Sequence, residues 1–216
     1  MSNVIPAFAT PVYIGKVRGS AFDNVQKEIE DSLHKVDFKY NDHFGETHYL
    51  SDPTFRENYF AKHSLKNLKS AIGDHLQKYM DIIGYTNDLK YHIDSSWVAL
   101  FKPGHYGHIH DHGSVDISGV YYHKTNGKDG KIFFESPNTN LASSVVFNHL
   151  SNSMTADPEE GKIILFPGWF KHGIKRNNTD ETRISLSFNI YIDNIRGDNV
   201  NPWQDVTNST DFEAHD

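Results

Sequence analysis

Residues 161–190 decide how this chain is read. They begin Gly161-Lys162-Ile163-Ile164-Leu165-Phe166-Pro167-Gly168-Trp169-Phe170-Lys171-His172 and close with Arg183-Ile184-Ser185-Leu186-Ser187-Phe188-Asn189-Ile190. The first part is an apolar run of strand length that stops at Pro-Gly, with a histidine soon after. In the second part neighbouring residues alternate in kind. Arg183, Ser185, Ser187 and Asn189 fall on one face of a strand, and Ile184, Leu186, Phe188 and Ile190 on the other. The polar face is either a solvated surface or the wall of a pocket for an anion. An arginine and a serine two residues apart can hold one carboxylate, by a charged fork and by a hydroxyl.

The next signal lies upstream, at His110-Asp111-His112. On a strand His108, His110 and His112 would share a face, with Asp111 opposite. Two neighbouring imidazoles joined by the distant His172 suit Fe, Zn, Cu or Ni, and three protein ligands leave open positions for chemistry. Taken alone, the pair is equally what a histidine-rich surface loop after Gly104 would show. The strand carrying Arg183 shifts the reading to a metal that binds an anionic co-substrate. The chain has 14 histidines. His34, His43, His48, His63, His75 and His215 sit in polar contexts without a spaced partner and read as surface residues.

Around these motifs the pattern changes once. Residues 8–17 read as a strand. Phe22, Val25, Ile29, Leu33 and Val36 recur at helical spacing, with Ser20 as the expected cap. Residues 41–53 read as a loop. Leu65, Leu68, Ile72, Leu76, Tyr79 and Ile83 mark a second helix, capped by Ser64 and stopped by Gly84. From Tyr91 onward the signals are strands: residues 97–101, ending at Lys102-Pro103-Gly104, then 117–123, 131–135, 162–166 and 183–192. Asn126-Gly127 and Asp129-Gly130 mark a turn. Helices followed by a run of strands predict a mainly β fold, a sandwich or barrel with flanking helices. Residues 138–157 read as a polar insertion, either a pocket rim or an unstructured segment. We expect one domain over 1–216, with a helical layer at about 20–84, a β core at about 89–193 and a polar tail at 194–216.

Composition narrows the function classes. The 216 residues suffice for a full core. The absence of cysteine excludes thiolate metal sites and thiol catalysis and fits a reducing compartment. With 21 basic and 28 acidic residues, the net charge of −7 argues against phosphate-backbone binding. No apolar run approaches membrane-spanning length and the N-terminus lacks a signal-peptide pattern, so a cytoplasmic protein with no membrane partner is expected.

The order HxD/E, distal histidine, then R-x-S about ten residues later resembles the 2-oxoglutarate- and Fe(II)-dependent oxygenases. Ile117-Ser118-Gly119-Val120-Tyr121-Tyr122, Phe166-Pro167-Gly168-Trp169, residues 183–189 and the start at Phe8-Ala9-Thr10-Pro11-Val12-Tyr13 look like an uncharacterised, prolyl-hydroxylase-like branch found in bacteria and cyanophages. The resemblance covers about residues 95–192 and implies a double-stranded β-helix, or jelly roll. It implies Fe(II) and 2-oxoglutarate as cofactors, and hydroxylation of an unidentified substrate with release of succinate and CO2. By position it makes His110, His112 and His172 the metal ligands, and Arg183 and Ser185 the grip on the far carboxylate. Tyr122 joins that grip if its strand face points inward, with Tyr121 packing outward. Trp169 and Phe170 would then form an apolar wall beside the distal histidine, or simply core.

The chain departs from the family at His112, where an acid is usual. Three histidines are neutral, whereas two histidines and a carboxylate carry one negative charge. Asp116, folded back through the 113–115 loop, and a shifted His108/His110 pair are the competing completions. Two other functions are compatible with the same pattern: a cupin-type three-histidine metalloenzyme that does not use 2-oxoglutarate, and a non-catalytic jelly-roll module. The substrate would be a small molecule or peptide, with a nucleobase left open, nucleic acid itself not expected, and a homodimer open.

Overall fold

The computed structural model describes residues 9–41, 48–85, 88–138, 140, 143, 145 and 153–196. The elements run β1 (Tyr13–Lys16), α1 (Gly19–Leu33), β2 (Lys39–Asn41), β3 (His48–Leu50), α2 (Tyr59–Lys62), α3 (Lys66–Ile82), β4 (Tyr91–Phe101), β5 (Gly107–His110), β6 (Ile117–Lys124), β7 (Ile132–Glu135), β8 (Ser153–Ala156), β9 (Lys162–Pro167), β10 (His172–Ile174), β11 (Arg183–Ile192) and α4 (Asp193–Arg196). Seven strands form a major sheet ordered β1-β9-β6-β11-β4-β3-β2, and four form a minor sheet ordered β5-β10-β7-β8.

The alternation of β11 explains why the layers stack as they do. Its apolar face, Leu186, Phe188 and Ile190, packs against the stripes of the two long helices: Val25 and Ile29 from α1, and Leu68, Ile72, Leu76 and Tyr79 from α3. Its other face turns toward the minor sheet. Between the sheets lie Val120, Tyr122, Ile164 and Phe166 from the major sheet, with Ile132, Phe134 and Ala156 from the minor one. The order is therefore helices, major sheet, minor sheet, the mainly β fold with flanking helices that the pattern predicted. Tyr121 is fully buried on the helix side, while Tyr122 faces the other sheet.

Several local expectations are corrected. Residues 41–53 are not wholly loop: β2 and β3 pair there and extend the major sheet beyond β4. Three-residue edge strands are too short for a periodic signal. Neither Ser20 nor Ser64 caps a helix. The N-caps are Arg18 and Leu65, neither with a side-chain cap bond, and Ser64 takes a left-handed φ of 55°. Gly84 does end its helix, at φ 92°, a conformation glycine adopts without a Cβ clash. Ile83 is half exposed rather than part of the stripe. The supposed insertion at 138–157 contains β8, which pairs with β7. Of the polar tail, residues 194–196 lie in α4 and 197–216 fall outside the described residues, as does Phe8.

Candidate metal and oxo-acid site

His110, His112 and His172 come together, with one ligand nitrogen from each lying within 4.8 Å of the others. They reach that point by three routes. His110 ends β5 and pairs directly with His172, which begins β10. His112 is not on the strand. β5 stops at His110, and the chain turns so that the His112 amide donates to the Gly168 carbonyl at 2.8 Å. The next residue, Gly113, has φ 61°, and its amide donates to the Asp111 carboxylate at 3.0 Å. The expected sharing of one strand face by His108, His110 and His112 is therefore wrong, although His110 and His112 do meet. His108 is exposed and outside the cluster, so the shifted His108/His110 pair is not assembled. Asp116 is also elsewhere: its carboxylate accepts from the Ile192 amide at 2.8 Å.

The histidine tautomers are set by backbone carbonyls. Nδ1 of His172 lies 2.8 Å from the Phe170 carbonyl, and Nδ1 of His110 lies 2.8 Å from the His108 carbonyl. A carbonyl can only accept, so each Nδ1 carries the proton and each Nε2 keeps its lone pair. This is the second bond by which metal-binding imidazoles are usually oriented. Burial pushes the pKa of His112 and of His172 down to about 3, with neighbouring imidazoles adding to the effect. His110 stands exposed at the mouth, yet the surrounding protein displaces enough water to lower its pKa too. All three are neutral at physiological pH, the form that binds metal.

Deeper in the same cavity sits Arg183, with no accessible surface. Its Nη1 donates to the Gly130 carbonyl at 2.7 Å, and its Nε has no partner. Among the described residues no carboxylate pairs with it. The guanidinium carbon lies 4.1 Å from the centre of the Phe101 ring and 5.8 Å from that of Tyr122. The Tyr122 hydroxyl is buried without a partner, and burial raises its pKa to about 12, so it is a donor. Ser185 is buried and lines the same space. Asp129, also buried, attracts the guanidinium without forming an ion pair, and a buried charge without a paired counter-ion costs several kcal/mol. Here that cost sits beside unused donors aimed at one cavity, which is the chemistry of a site for an acidic ligand.

The cavity, about 80 Å³, opens past the histidines into a cleft of about 570 Å³. Trp97 and Phe55 form the aromatic corner of the cleft, edge to face at 5.1 Å, with Trp97 stacked on His112. Asn41, Ser95, Asp111 and Asn189 supply its polar lining. A relay crosses three strands from the inner cavity: the Ser118 hydroxyl donates to the Asn189 carbonyl oxygen at 2.9 Å, and the Asn189 amide donates to Ser95 at 3.1 Å. The face of β11 that could have been solvated is thus the pocket wall.

The aromatic wall was expected at Trp169 and Phe170. Phe170 packs on Phe134 at 5.1 Å as core, the alternative reading, whereas Trp169 is half exposed and is neither wall nor core. Sequence reasoning missed Trp97 and Phe55, and it misread His48 and His75, which are buried. His48 lines the inner cavity. No periodic signal marked His48 or Phe55, because one lies on a three-residue strand and the other in a turn.

Comparison with known proteins came to the same region. Residues 95–189, from β4 to β11, match the family described as "Putative 2OG-Fe(II) oxygenase". That segment includes all three clustered histidines and Arg183. No curated protein matches the chain significantly in sequence. Among solved structures, the non-heme alpha-ketoglutarate-dependent carbocyclase SnoK of nogalamycin biosynthesis is 10% identical with a TM-score of 0.60, over 85% of this chain and 80% of that one. HygX from Streptomyces hygroscopicus, solved with nickel and 2-oxoglutarate, is 13% identical with a TM-score of 0.57, over 84% and 82%. A Pseudomonas putida prolyl-4-hydroxylase is 14% identical with a TM-score of 0.55, over 83% and 92%. At such identities the likeness speaks for the fold, which is the double-stranded β-helix of these oxygenases.

Proposed function

We propose that this chain is an Fe(II)- and 2-oxoglutarate-dependent oxygenase that hydroxylates a small molecule or peptide, with His110, His112 and His172 holding the metal. The observation that carries the reading is Arg183: a fully buried guanidinium with an unpartnered Nε, deep in the cavity whose mouth the three imidazoles line. A cupin-type metalloenzyme needs the histidines but not this cation, and a non-catalytic module needs neither. The family match over 95–189 supports the same choice.

The donor set fits the group. Three neutral imidazoles would hold a divalent iron, His110 and His172 through the Nε2 left free by their Nδ1 bonds to backbone carbonyls, and imidazole is a suitable ligand for it. When bound, iron and 2-oxoglutarate together supply the oxidising chemistry: O2, the oxo acid and a substrate C–H give C–OH, succinate and CO2. The chain's own residues bind and orient. Arg183 anchors the far carboxylate through charge-assisted bonds, and Ser185 and the Tyr122 hydroxyl complete its donors. The interlayer core around Phe134 and Phe166 keeps bulk water from the inner cavity. Trp97 and Phe55 orient substrate over His112, while Ser95 and Asn189 read its polar groups.

Among the described residues the cleft lining contains no lysine or arginine and one carboxylate, Asp111. This chemistry favours a neutral or cationic substrate with an apolar face over a phosphorylated one, and it weighs against nucleic acid. No helix among the described residues is long and apolar enough to cross a membrane. The proposal extends to the bacterial and phage branch named above and to a cytoplasmic setting, supported by the quoted motifs and by a sequence without cysteine.

Anaerobic titration with Fe(II) and then 2-oxoglutarate tests the reading. A visible metal-to-ligand charge-transfer band is expected, followed by succinate release on admitting O2. A protein that binds Fe(II) but gives no band and no succinate would leave the cupin-type reading in its place.

A further inference from the structure

One buried residue beside the cavity has no part in the reaction described so far. His48 lies on β3, outside the segment that matches the family. Arg183 pairs with Phe101 across β11 and β4, and Tyr49 pairs with Leu100 across β3 and β4. The next position places His48 beside Phe101. The row across the sheet is therefore Arg183, Phe101, His48, with Phe101 in the middle. Side chains in one such row share a face, and here it is the cavity face. The rings agree with the register. The His48 imidazole stacks on Phe101 at 4.5 Å and 6°, while the guanidinium carbon lies 4.1 Å from the Phe101 centre.

His48 also reaches the other sheet, through a hydrogen bond with the Tyr106 backbone. Tyr106 immediately precedes β5, which ends at His110. One imidazole therefore touches both the row that carries the anchor and the segment that carries a metal ligand. Burial and the nearby guanidinium hold its pKa near 3, so it adds no second cation beside Arg183.

Arg183 has little else to fix it. Its single strong bond is to Gly130, on one edge of the fork. The flat Phe101 face supports the rest, and Phe101 is held from behind by His48. We infer that His48 is a positioning residue for the 2-oxoglutarate anchor: by stacking on Phe101 it fixes the depth of the Arg183 guanidinium, and with it the length of oxo acid the cavity accepts. The inference rests on the oxygenase reading. It deepens that reading by assigning chain-length selectivity to a residue that touches neither the metal nor, on this account, the oxo acid.

The test uses the full chain loaded with Ni(II), which permits binding without turnover. Calorimetry measures affinity for 2-oxoglutarate and for 2-oxoadipate, one methylene longer, in wild type, His48→Ala and His48→Phe. Removing the ring should weaken 2-oxoglutarate binding by about tenfold, the scale of one aromatic pair. It should also narrow the preference over 2-oxoadipate. His48→Phe keeps a flat stacking face and should retain both affinity and preference. General loosening of the fold would weaken both acids alike and leave the preference unchanged, and that outcome overturns the inference. So does a His48→Phe variant as impaired as His48→Ala, which would mean direct contact rather than stacking. If His48→Ala does not fold, His48→Leu fills the volume without a flat face and decides in its place. A wild-type protein that takes up Ni(II) but no 2-oxoglutarate would instead sink the oxygenase reading, and this inference with it.

Discussion

The two ends of the cavity are built in opposite ways. The end proposed as the anchor, set against the end proposed for the metal, belongs to long, central strands of the major sheet: Arg183 and Ser185 on β11, Tyr122 on β6, Phe101 on β4. Helices back these strands, and all four side chains are buried. The metal end belongs to the minor sheet and its loops. His110 and His172 sit at the ends of strands of four and three residues, and His112 sits in a turn. The anchor end is buried and holds a charge that folding alone would not select. The metal end is open at its mouth and brings together groups that are neutral. Anion binding needs depth and fixed donors, whereas metal chemistry needs access for substrate and oxygen.

Removing His172 should break the metal end outright. We expect His172→Ala to abolish metal-dependent succinate release, and turnover at the wild-type rate would remove this residue from the site. The second largest effect lies at the other end. Arg183→Met should weaken 2-oxoglutarate binding by about 2–5 kcal/mol, the range for losing one partner of a buried charge pair. The same substitution should leave the thermal stability of the ligand-free protein unchanged or raised, because an apolar side chain replaces a buried cation that Asp129 attracts without an ion pair. Undiminished affinity would end the anchor assignment, and a large drop in melting temperature would make Arg183 a structural residue instead.

Acid should reveal buried histidines away from the metal. His123 is buried against Gln26, with its pKa pushed down to about 4 by burial and then by Lys124. Its unfolded form protonates near 6.5, so between pH 6.5 and 4 the unfolded chain binds the extra proton. Stability is full above about 6.5 and falls as pH drops toward 4, by about 1.4 kcal/mol per pH unit for such a group. Denaturant melts of metal-free wild type and His123→Gln across that window should converge at low pH. Parallel curves would remove His123 as a source of the acid loss. The smallest expected effect is at Tyr122. Tyr122→Phe should cost about 0.5–1.5 kcal/mol in 2-oxoglutarate affinity. It should not lower stability, since the buried hydroxyl has no internal partner. A stability loss equal to the affinity loss would argue that the hydroxyl serves the fold.

The same contrast explains what could be read beforehand. Alternation on β11 spans eight residues, Arg183 to Ile190, and a period of two over that length shows which residues share a face. The shared face of Arg183 and Ser185 was therefore legible, whereas the inward face of Tyr122 on β6 stayed conditional until the sheets were seen. The stripes of α1 and α3 were legible for the same reason. At the metal end the three histidines could be named but not their geometry. The single-face argument for His108, His110 and His112 failed because the strand ends at His110, two residues too soon. His48 and Phe55 carried no usable signal, since a three-residue strand and a turn have no period.

The chain's order of residues was enough to determine a mainly β fold with flanking helices, which residues of the last strand share a face, and the residue types available for a proposed neutral metal site and carboxylate anchor. Those follow from local periodicity and side-chain chemistry, which depend only on near neighbours in sequence. The turn that delivers His112, the backbone carbonyls that orient His110 and His172, the row from Arg183 to His48, and the aromatic corner of Trp97 and Phe55 were decided by tertiary structure. Each depends on contacts between segments far apart in the chain, and register across strands sets such contacts only once the sheets have formed.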